Sequence, residues 1–196
     1  MGQQQSIRYS AHREWLTGKG ANTYTQFGED GLIAAAIERI GETNRHCFEI
    51  GAADGVFFSN TLRLRQQGWY AVLIEGDDQL FEKLNNVYGE QSKCIHAWIS
   101  DLDRVLLDTD IDWQPDLGVI DIDGKDFWMW HHLQAIRPRI MLVEISTVNN
   151  TDPAPPKGGS GQAGLDSIRA LGEAKGYTLV AHTHCNALFI DSKENI

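Results

Sequence analysis

Three carboxylates follow two predicted strands, and their types and spacing suit acid–base chemistry. Asp121 and Asp123 stand in the segment IDIDGKD, and Glu144 ends the apolar run RIMLVE. If the first strand extends through both aspartates, their side chains point to opposite sides of it. Carboxylates gathered at one sheet edge repel one another unless a proton or a cation lies between them. One of them could therefore act as a general base on an acceptor hydroxyl group.

The same edge could instead bind a divalent cation. Asp121 and Glu144 end strands predicted to be adjacent, and Asn149 and Asn150 lie a few residues further on. Two carboxylates and an amide form an oxygen-rich site of the kind that Mg²⁺ or Mn²⁺ takes, and the cation would lower the pKa of a bound hydroxyl. Of the two mechanisms, we favour a cation held by Asp121, Glu144 and Asn149.

A second group of residues has the spacing of a cofactor site. The stretch HCFEIGAADG, residues 46–55, reads as a buried strand that ends in a glycine turn and precedes a helix. Such a unit presents backbone N–H groups and a helix N-terminus to a ligand. A dinucleotide site would read G-x-G-x-x-G, whereas only Gly51 and Gly55 are present, with Glu49 two residues before the first. This spacing disfavours a nicotinamide-dependent oxidoreductase. It resembles the E/D-x-G-x-x-x-G pattern of class I S-adenosylmethionine (SAM) methyltransferases, which implies that Glu49 interacts with the cationic methionine end.

The next predicted strand, YAVLIEG, ends in a further acid. Glu75 lies 26 residues after Glu49 and 20 after Gly55. An acid at this distance from a glycine turn is placed to accept hydrogen bonds from ribose hydroxyl groups.

Alternating strands and helices must position these residues. Apolar runs predict strands, and apolar residues at helical spacing predict the helices between them. The last two strands, YTLVAHT and NALFID, are joined by so few residues that they must be antiparallel. The sequence predicts an α/β fold of the Rossmann-like class I methyltransferase type, with a mostly parallel seven-stranded sheet of order 3-2-1-4-5-7-6 and a C-terminal antiparallel hairpin. The other strands are expected over residues 46–50, 70–76, 94–99, 117–124 and 139–146. Helices are expected over residues 25–40, 59–67, 80–87, 126–136 and 165–175, with a reduced helix or a loop over 101–114.

The chain length and a proline-rich segment define the expected domain organisation. An N-terminal arm, residues 1–24, precedes a single domain over residues 25–196. Residues 147–164 hold three of the five prolines and four glycines, so they cannot form a regular element. Because this long loop follows the carboxyl end of a strand, we expect it to be a mobile lid.

Composition excludes several classes of partner. The net charge of −10 argues against a nucleic-acid or anionic-membrane surface. The chain contains no run of 18 apolar residues, and its polar N-terminus does not read as a signal peptide. The three cysteines are scattered, which is typical of free thiols in a reducing compartment, so we expect a cytoplasmic protein. Residues 1–6 match the loose myristoylation pattern M-G-x-x-x-S, which a domain start explains equally well.

Most of the chain, from about residue 25 to 191, resembles the FkbM-like branch of SAM-dependent methyltransferases. The resemblance is carried by TQFGED, FEIGAADGVFFSNT, GWYAVLIEGD, IDIDG, RPRIMLVE, KGYTLV and NALFID. It implies methyl transfer from SAM to a hydroxyl group of a sugar or a small natural product. It also implies a cofactor site formed by Gln26, Glu49, Gly51, Ala53, Asp54, Asn60, Glu75, Gly76 and Ser100, with Ser100 beside the adenine.

One block departs from this family. IDIDGKD stands where many relatives have an IDVEG-type segment, and it is similar to the DADKD block of metal-dependent catechol-type O-methyltransferases with one glycine inserted. That similarity makes Lys125 a further candidate base, although a solvated lysine at a helix start is an equally good interpretation. We expect a SAM-dependent O-methyltransferase acting on a sugar hydroxyl, within a glycan or glycoconjugate. A methyltransferase acting on a small natural product and a non-catalytic binding or scaffold module with the same fold are the alternatives.

Overall fold

The computed structural model describes residues 14–149, 153–156, 159 and 161–196, together with the backbone of residues 8–9. Eight strands form one sheet in the order β1-β7-β8-β6-β5-β2-β3-β4. They are β1 Arg8–Tyr9, β2 His46–Ile50, β3 Tyr70–Glu75, β4 Lys93–His96, β5 Leu117–Ile120, β6 Ile140–Glu144, β7 Tyr177–His182 and β8 Asn186–Asp191.

The seven strands from β2 to β8 have the predicted topology. Strands β2 to β6 pair in parallel, and β8 lies antiparallel between β6 and β7. Read from β4, their order is the predicted 3-2-1-4-5-7-6, closed by the expected hairpin. The eighth strand, β1, lies in the predicted N-terminal arm and pairs antiparallel with β7. Two residues in a polar segment carry no periodicity, so the sequence could not predict it.

Two apolar layers cover the sheet because successive strand residues face opposite sides. In β3, Ala71 and Leu73 join one buried cluster, whereas Val72 and Ile74 join the other. The helices are α1 Glu29–Ile40, α2 Leu62–Gln66, α3 Asp78–Tyr88, α4 Leu102–Leu107, α5 Asp126–His132 and α6 Leu165–Ala174, and a short 3₁₀ helix is Glu14–Leu16. The 3₁₀ helix, α1, α2 and α3 contribute to the first layer, and α4, α5 and α6 to the second. Strands buried on both faces read as continuous apolar runs, which is why the sequence predicts them.

Several elements are shorter than predicted. α1 begins at Glu29 rather than at residue 25, and β4 ends at His96 rather than at residue 99. The helices α2 and α5 and the strand β5 are shorter as well. α2 begins at Leu62 because the preceding Ser59 and Thr61 hydroxyls bond to Glu49. α5 ends at His132 because the Asp103 carboxylate accepts the backbone N–H groups of residues 134–136 in a turn. β5 ends at Ile120, and the loop that follows it carries the predicted catalytic acids. The reduced helix expected after β4 is present as α4.

Among the described helices, none has the length and apolar content needed to cross a membrane.

Candidate functional site

A cavity of about 1070 Å³ lies at the carboxyl edge of the sheet, where open α/β sheets bind ligands. Its walls come from the loops that follow β2, β3, β4, β5 and β6, from the segment before α1, and from the β7–β8 turn. The volume is at the upper end of the range for small-molecule sites, so the cavity has room for a cofactor and part of a second substrate.

Glu49 lines this cavity, but its carboxylate is engaged within the protein. Oε1 accepts the Asn60 backbone N–H at 2.7 Å, and Oε2 accepts the hydroxyls of Ser59 at 2.8 Å and Thr61 at 2.6 Å. Glu49 therefore fixes the loop between β2 and α2. The predicted contact with a cationic ligand end stays a prediction, because Glu49 lines the cavity and its three accepted hydrogen bonds leave about one acceptor position.

Asn60 offers an acceptor to a ligand in the same wall. Its side chain is buried and lines the cavity, and its Oδ1 has no hydrogen-bond partner within the described part of the chain. A buried acceptor without a partner costs free energy unless a ligand or water donates to it. Because this oxygen is closed off from solvent, a ligand donor would reach it only after the side chain moves.

Glu75 is placed as expected at the end of β3. Its Oε2 accepts the Ala53 N–H and its Oε1 the Asp77 N–H, each at 2.8 Å. An ionised carboxylate has about four acceptor positions, so both oxygens retain capacity for ligand hydroxyl groups. Ala53 itself takes a left-handed conformation, with φ 48°, and lines the cavity beside Glu75.

At the predicted glycines Gly51 and Gly76, a side chain would collide with other parts of the protein, whether or not a cofactor is bound. Gly51 has φ 76°, and a Cβ there would lie 1.7 Å from the backbone oxygen of Asp121, so glycine lets the β2 and β5 loops pack together. A Cβ on Gly76 would lie 2.5 Å from the indole of Trp98. The sequence indicated the positions of both glycines but not these neighbours.

Three predicted residues do not line the cavity. The wall after β4 is formed by Ala97, Trp98 and Ile99 rather than Ser100, because the extended segment turns before that serine. Asp54 instead accepts the N–H groups of Val56 and Phe57, at 3.0 and 2.8 Å, and the bond from Phe57 lowers its pKa. Asn149 is likewise outside the lining, and Asn150 lies outside the described residues.

Trp98 is a residue that we did not predict. Its side chain is 84% exposed, lies over Gly76 and lines the cavity. The sequence prediction included Trp98 in a strand over residues 94–99, whereas the strand ends at His96 and leaves the indole in the following loop.

The three predicted acids come together as expected. Asp121, Asp123 and Glu144 all line the cavity. Because β5 ends at Ile120 and Asp123 takes φ 54°, the strand alternation that we expected does not extend to them. The Asp123 backbone N–H donates to Glu144 Oε2 at 3.0 Å, which joins the two loops.

Asp121 and Glu144 form a coupled acid pair. Burial raises the pKa of both carboxyls above their ordinary values, and for Glu144 the charge of Asp121 is the next cause. For Asp121 the charge of buried Asp126 comes next. Two such carboxyls cannot both ionise readily, so the pair retains a proton closer to neutral pH than isolated carboxyls would.

Asp126 shapes the loop that carries these acids. Its carboxylate accepts the N–H groups of Ile122 and Gly124, each at 2.9 Å. Burial raises its pKa to about 6, against the effect of these two hydrogen bonds. The sequence analysis placed Asp126 only at the start of a helix. An acid two residues after a glycine could also have indicated a carboxylate that accepts the N–H groups of the preceding turn.

Gln162 is a further residue that we missed. Its Nε2 donates to Glu144 Oε1 at 2.5 Å, and it lines the cavity. Hydrogen bonds also hold the residues on either side of it. The Gly161 N–H donates to Gly124 O, and Ala163 O accepts the Ser146 N–H. A glutamine inside a glycine- and proline-rich loop carries no pattern that would identify it.

The predicted lid, residues 147–164, is described only in part, since residues 150–152, 157–158 and 160 lie outside the described residues. Its described portion contacts the site at several points. The Trp128 indole N–H donates to Pro155 O at 2.9 Å, and Thr147 and Gln162 line the cavity.

The predicted cation site finds no support in the described part of the chain. No group of three or more His, Cys, Asp or Glu residues there is arranged to hold a metal ion. The raised pKa values of the acid pair favour a retained proton, which would relieve its repulsion without a cation, and both oxygens of Glu144 already accept hydrogen bonds. Lys125 is exposed and lines the cavity just before α5, so both of its interpretations stay open.

A further part of the wall comes from the segment before α1. Gln26 lines the cavity, as predicted, and its Oε1 accepts a weak hydrogen bond from the Cys185 thiol at 3.8 Å. Glu29 holds this segment in place, because its carboxylate accepts the Phe27 N–H at 2.8 Å and the Thr183 hydroxyl at 2.6 Å.

No protein-family model matches the sequence, and no curated protein matches it. Solved structures do share its fold. The O-methyltransferase TomG from Streptomyces achromogenes, in complex with SAM, is 18% identical, with a TM-score of 0.54 over 91% of this chain and 90% of TomG. Magnesium protoporphyrin IX methyltransferase (ChlM) from Synechocystis PCC 6803, with bound SAM, is 14% identical, with a TM-score of 0.54 over 84% of this chain and 78% of that one. Monomeric WbdD is 15% identical, with a TM-score of 0.56, and the match covers 94% of this chain but 45% of WbdD.

These similarities establish the fold. The chain has the Rossmann-like fold of class I SAM-dependent methyltransferases, with the predicted strand order. At identities below 20% the comparisons carry no more than that, and the resemblance to the FkbM-like branch stays a prediction.

Proposed function

We propose that the protein is a SAM-dependent O-methyltransferase that acts on a hydroxyl group of a sugar, in a glycan or glycoconjugate. One observation carries the proposal. One cavity is lined by Glu75, to which we assign the ribose hydroxyls, and by the acid pair Asp121 and Glu144, to which we assign the proton transfer. The sugar acceptor rests on the sequence resemblance described above.

The residues present fit SAM. The unpartnered Asn60 Oδ1 suits the ammonium group of the methionine end, and Gln26 also lines the cavity. The free acceptor positions of Glu75 suit the ribose, and the exposed indole of Trp98 offers a face on which an adenine ring can stack. Gly51, Ala53 and Gly76 would bring backbone close to the ligand.

Bound SAM supplies a methyl group on a sulfonium, which is already a good electrophile. The protein must therefore orient the acceptor hydroxyl and remove its proton, and a positioned base is worth about 10²–10⁴-fold in rate. We assign the proton removal to Asp121, because it lines the cavity and no hydrogen bond within the described residues ends on its carboxylate.

Glu144 assists without being the base. Its two oxygens accept hydrogen bonds from Asp123 and Gln162, so it stays fixed beside Asp121. Residues 147–164 would close over the acceptor and exclude water, and their described contacts with Trp128 and Gly124 anchor that segment. Exposed Asp123 and Lys125 stay as further candidates for contact with the acceptor.

The free cysteine thiols are our reason for proposing a cellular compartment. Cys47, Cys94 and Cys185 are free, which suits a reducing compartment, and we place the reaction in the cytoplasm. No nucleic-acid partner is proposed, because the net charge is −10.

The test is transfer of a labelled methyl group from SAM to a panel of sugars and glycosides, with and without EDTA. Transfer that persists in EDTA supports the base mechanism. Transfer that stops in EDTA and resumes with Mg²⁺ or Mn²⁺ supports a cation at Asp121, Glu144 and Asn149. Tight SAM binding without transfer to any acceptor supports the scaffold alternative.

A further inference from the structure

Exposed apolar side chains are concentrated around the cavity. Among the described residues, the large apolar side chains left exposed are Val56, Phe57, Phe58, Val87, Trp98, Leu107, Trp113 and Val148. Five of these eight follow β2, β4 or β6, whose carboxyl ends form the cavity. Isolated exposed apolar residues are normal, whereas their clustering at a cavity marks a binding surface.

Phe57 and Phe58 form the centre of this group. Their side chains are 65% and 42% exposed, their ring centroids lie 3.9 Å apart, and both line the cavity. We call these two rings the phenylalanine platform.

The loop holds the platform in a fixed position. The Asp54 carboxylate accepts the N–H groups of Val56 and Phe57. Phe58 takes φ 55°, which is uncommon for a bulky residue. A loop that keeps two rings in water at the cost of a strained backbone is consistent with a binding role.

The charges near the platform disfavour an anionic ligand. The neighbouring wall carries Asp121, Asp123 and Glu144, and the chain as a whole carries a net charge of −10. These charges repel phosphate groups, carboxylates and anionic lipid surfaces. The platform is also continuous with the cavity that holds the acid pair, so a molecule whose hydroxyl reaches Asp121 has its remaining atoms near these rings.

We propose that the acceptor is amphipathic, with the reacting hydroxyl on a polar head inside the cavity and an uncharged apolar portion lying on Phe57 and Phe58. This inference rests on the proposed function and narrows its acceptor class to hydroxylated molecules that carry an apolar group, such as an alkyl glycoside.

The test compares the binding of methyl β-glucoside and octyl β-glucoside, below micelle-forming concentration and in the presence of S-adenosylhomocysteine, by calorimetry. Each fully buried methylene strengthens binding by about fourfold. We therefore expect octyl glucoside to bind at least about tenfold more tightly than methyl glucoside.

Matched variants show whether the higher affinity for octyl glucoside depends on the phenylalanine platform. The Phe57→Ser variant and the Phe57→Ser/Phe58→Ser double variant should lose most of the gain, while their affinity for SAM changes by less than about twofold. The control is Trp113→Ser, because Trp113 is 61% exposed in the loop before β5, at the opposite end of the sheet. It should keep the full gain.

Three results would overturn the inference. They are equal binding of the two glucosides by the wild type, a gain that survives in Phe57→Ser and in the double variant, and a loss of SAM affinity showing that the rings cover the cofactor. Methyl transfer is measured separately. If methyl groups are transferred but octyl glucoside binds no more tightly than methyl glucoside, the amphipathic acceptor alone is refuted. If octyl glucoside binds more tightly but no acceptor is methylated, the proposed function alone is refuted.

Discussion

The side-chain amide of Gln162 donates a 2.5 Å hydrogen bond to Glu144 Oε1, which ties the segment after β6 to the acid pair. Glu144 Oε2 accepts the Asp123 N–H at 3.0 Å, so both of its oxygens are held. A hydrogen bond to a carboxylate favours its ionised form. Gln162 therefore acts as a positioning residue that influences the charge of the pair.

Replacing Gln162 should change the pH dependence of catalysis. Gln162→Leu removes a donor from Glu144, so the pKa of the pair should rise and the acidic limb of the kcat profile should move to higher pH. The affinity for SAM should stay within about twofold, because the lost bond lies between protein groups. The matched control is Gln91→Leu, at an exposed position after α3. An unchanged pH profile in Gln162→Leu would show that the contact does not influence the pair.

Glu75→Ala should weaken SAM binding by about 1–3 kcal/mol, the cost of losing hydrogen bonds to a charged acceptor. Part of this loss comes from the protein, since Glu75 also accepts the N–H groups of Ala53 and Asp77. Calorimetry with SAM measures the effect. The control is Glu82→Ala, at an exposed position on α3, which should bind SAM as the wild type does. Wild-type affinity in Glu75→Ala would place the ribose elsewhere.

Trp98→Ala should weaken SAM by about 0.5–1.5 kcal/mol, the range for one aromatic stacking contact. The reason is that the exposed indole lies over Gly76 at the end of the strand that carries Glu75. Trp113→Ala removes a comparably exposed tryptophan away from the cavity and should have no effect on binding. Equal losses in the two variants, or none in Trp98→Ala, would remove Trp98 from the cofactor site.

The free energy of unfolding should fall as the pH rises from 5 to 8. Burial raises the pKa of Asp126 to about 6 and raises the pKa values of Asp121 and Glu144 as well. In the unfolded chain these carboxyls lose their protons near pH 4, so above that pH the folded state binds more protons and the slope is negative.

Urea unfolding at several pH values measures this slope. Glu144→Gln removes one of the titrating groups and should flatten the slope, whereas Glu82→Gln on exposed α3 should not. The carboxyls with lowered pKa values, Asp54, Asp116 and Asp191, act below this pH range and leave the sign unchanged. A free energy of unfolding that rises with pH would contradict the burial of these acids.

The sequence allowed much of this fold to be predicted because its strands are apolar on both faces. Continuous runs such as the one ending at Glu144 identify buried parallel strands, and the short link after His182 requires a hairpin. Element ends were less predictable. β5 stops at Ile120, and Asp123 takes a left-handed conformation three residues later, which single-sequence periodicity does not report.

The candidate site was predictable where an acid or a glycine ends a strand, as at Glu49, Glu75, Asp121 and Glu144. It was not predictable where the role depends on partners distant in the sequence. Gln162 is defined by its contact with Glu144, 18 residues away. In the same way, the hydrogen bonds that the Ser59 and Thr61 hydroxyls donate to Glu49 exist only in the folded loop, so the sequence does not reveal them.

The most direct test of the central claim is labelled methyl transfer from SAM to a panel of sugars and alkyl glycosides, with the wild type and Asp121→Asn, each with and without EDTA. The account predicts transfer by the wild type that EDTA does not reduce, and a loss of about 10²–10⁴-fold in Asp121→Asn with SAM affinity retained. Wild-type protein that binds SAM yet labels no acceptor, or Asp121→Asn with full activity, would contradict it.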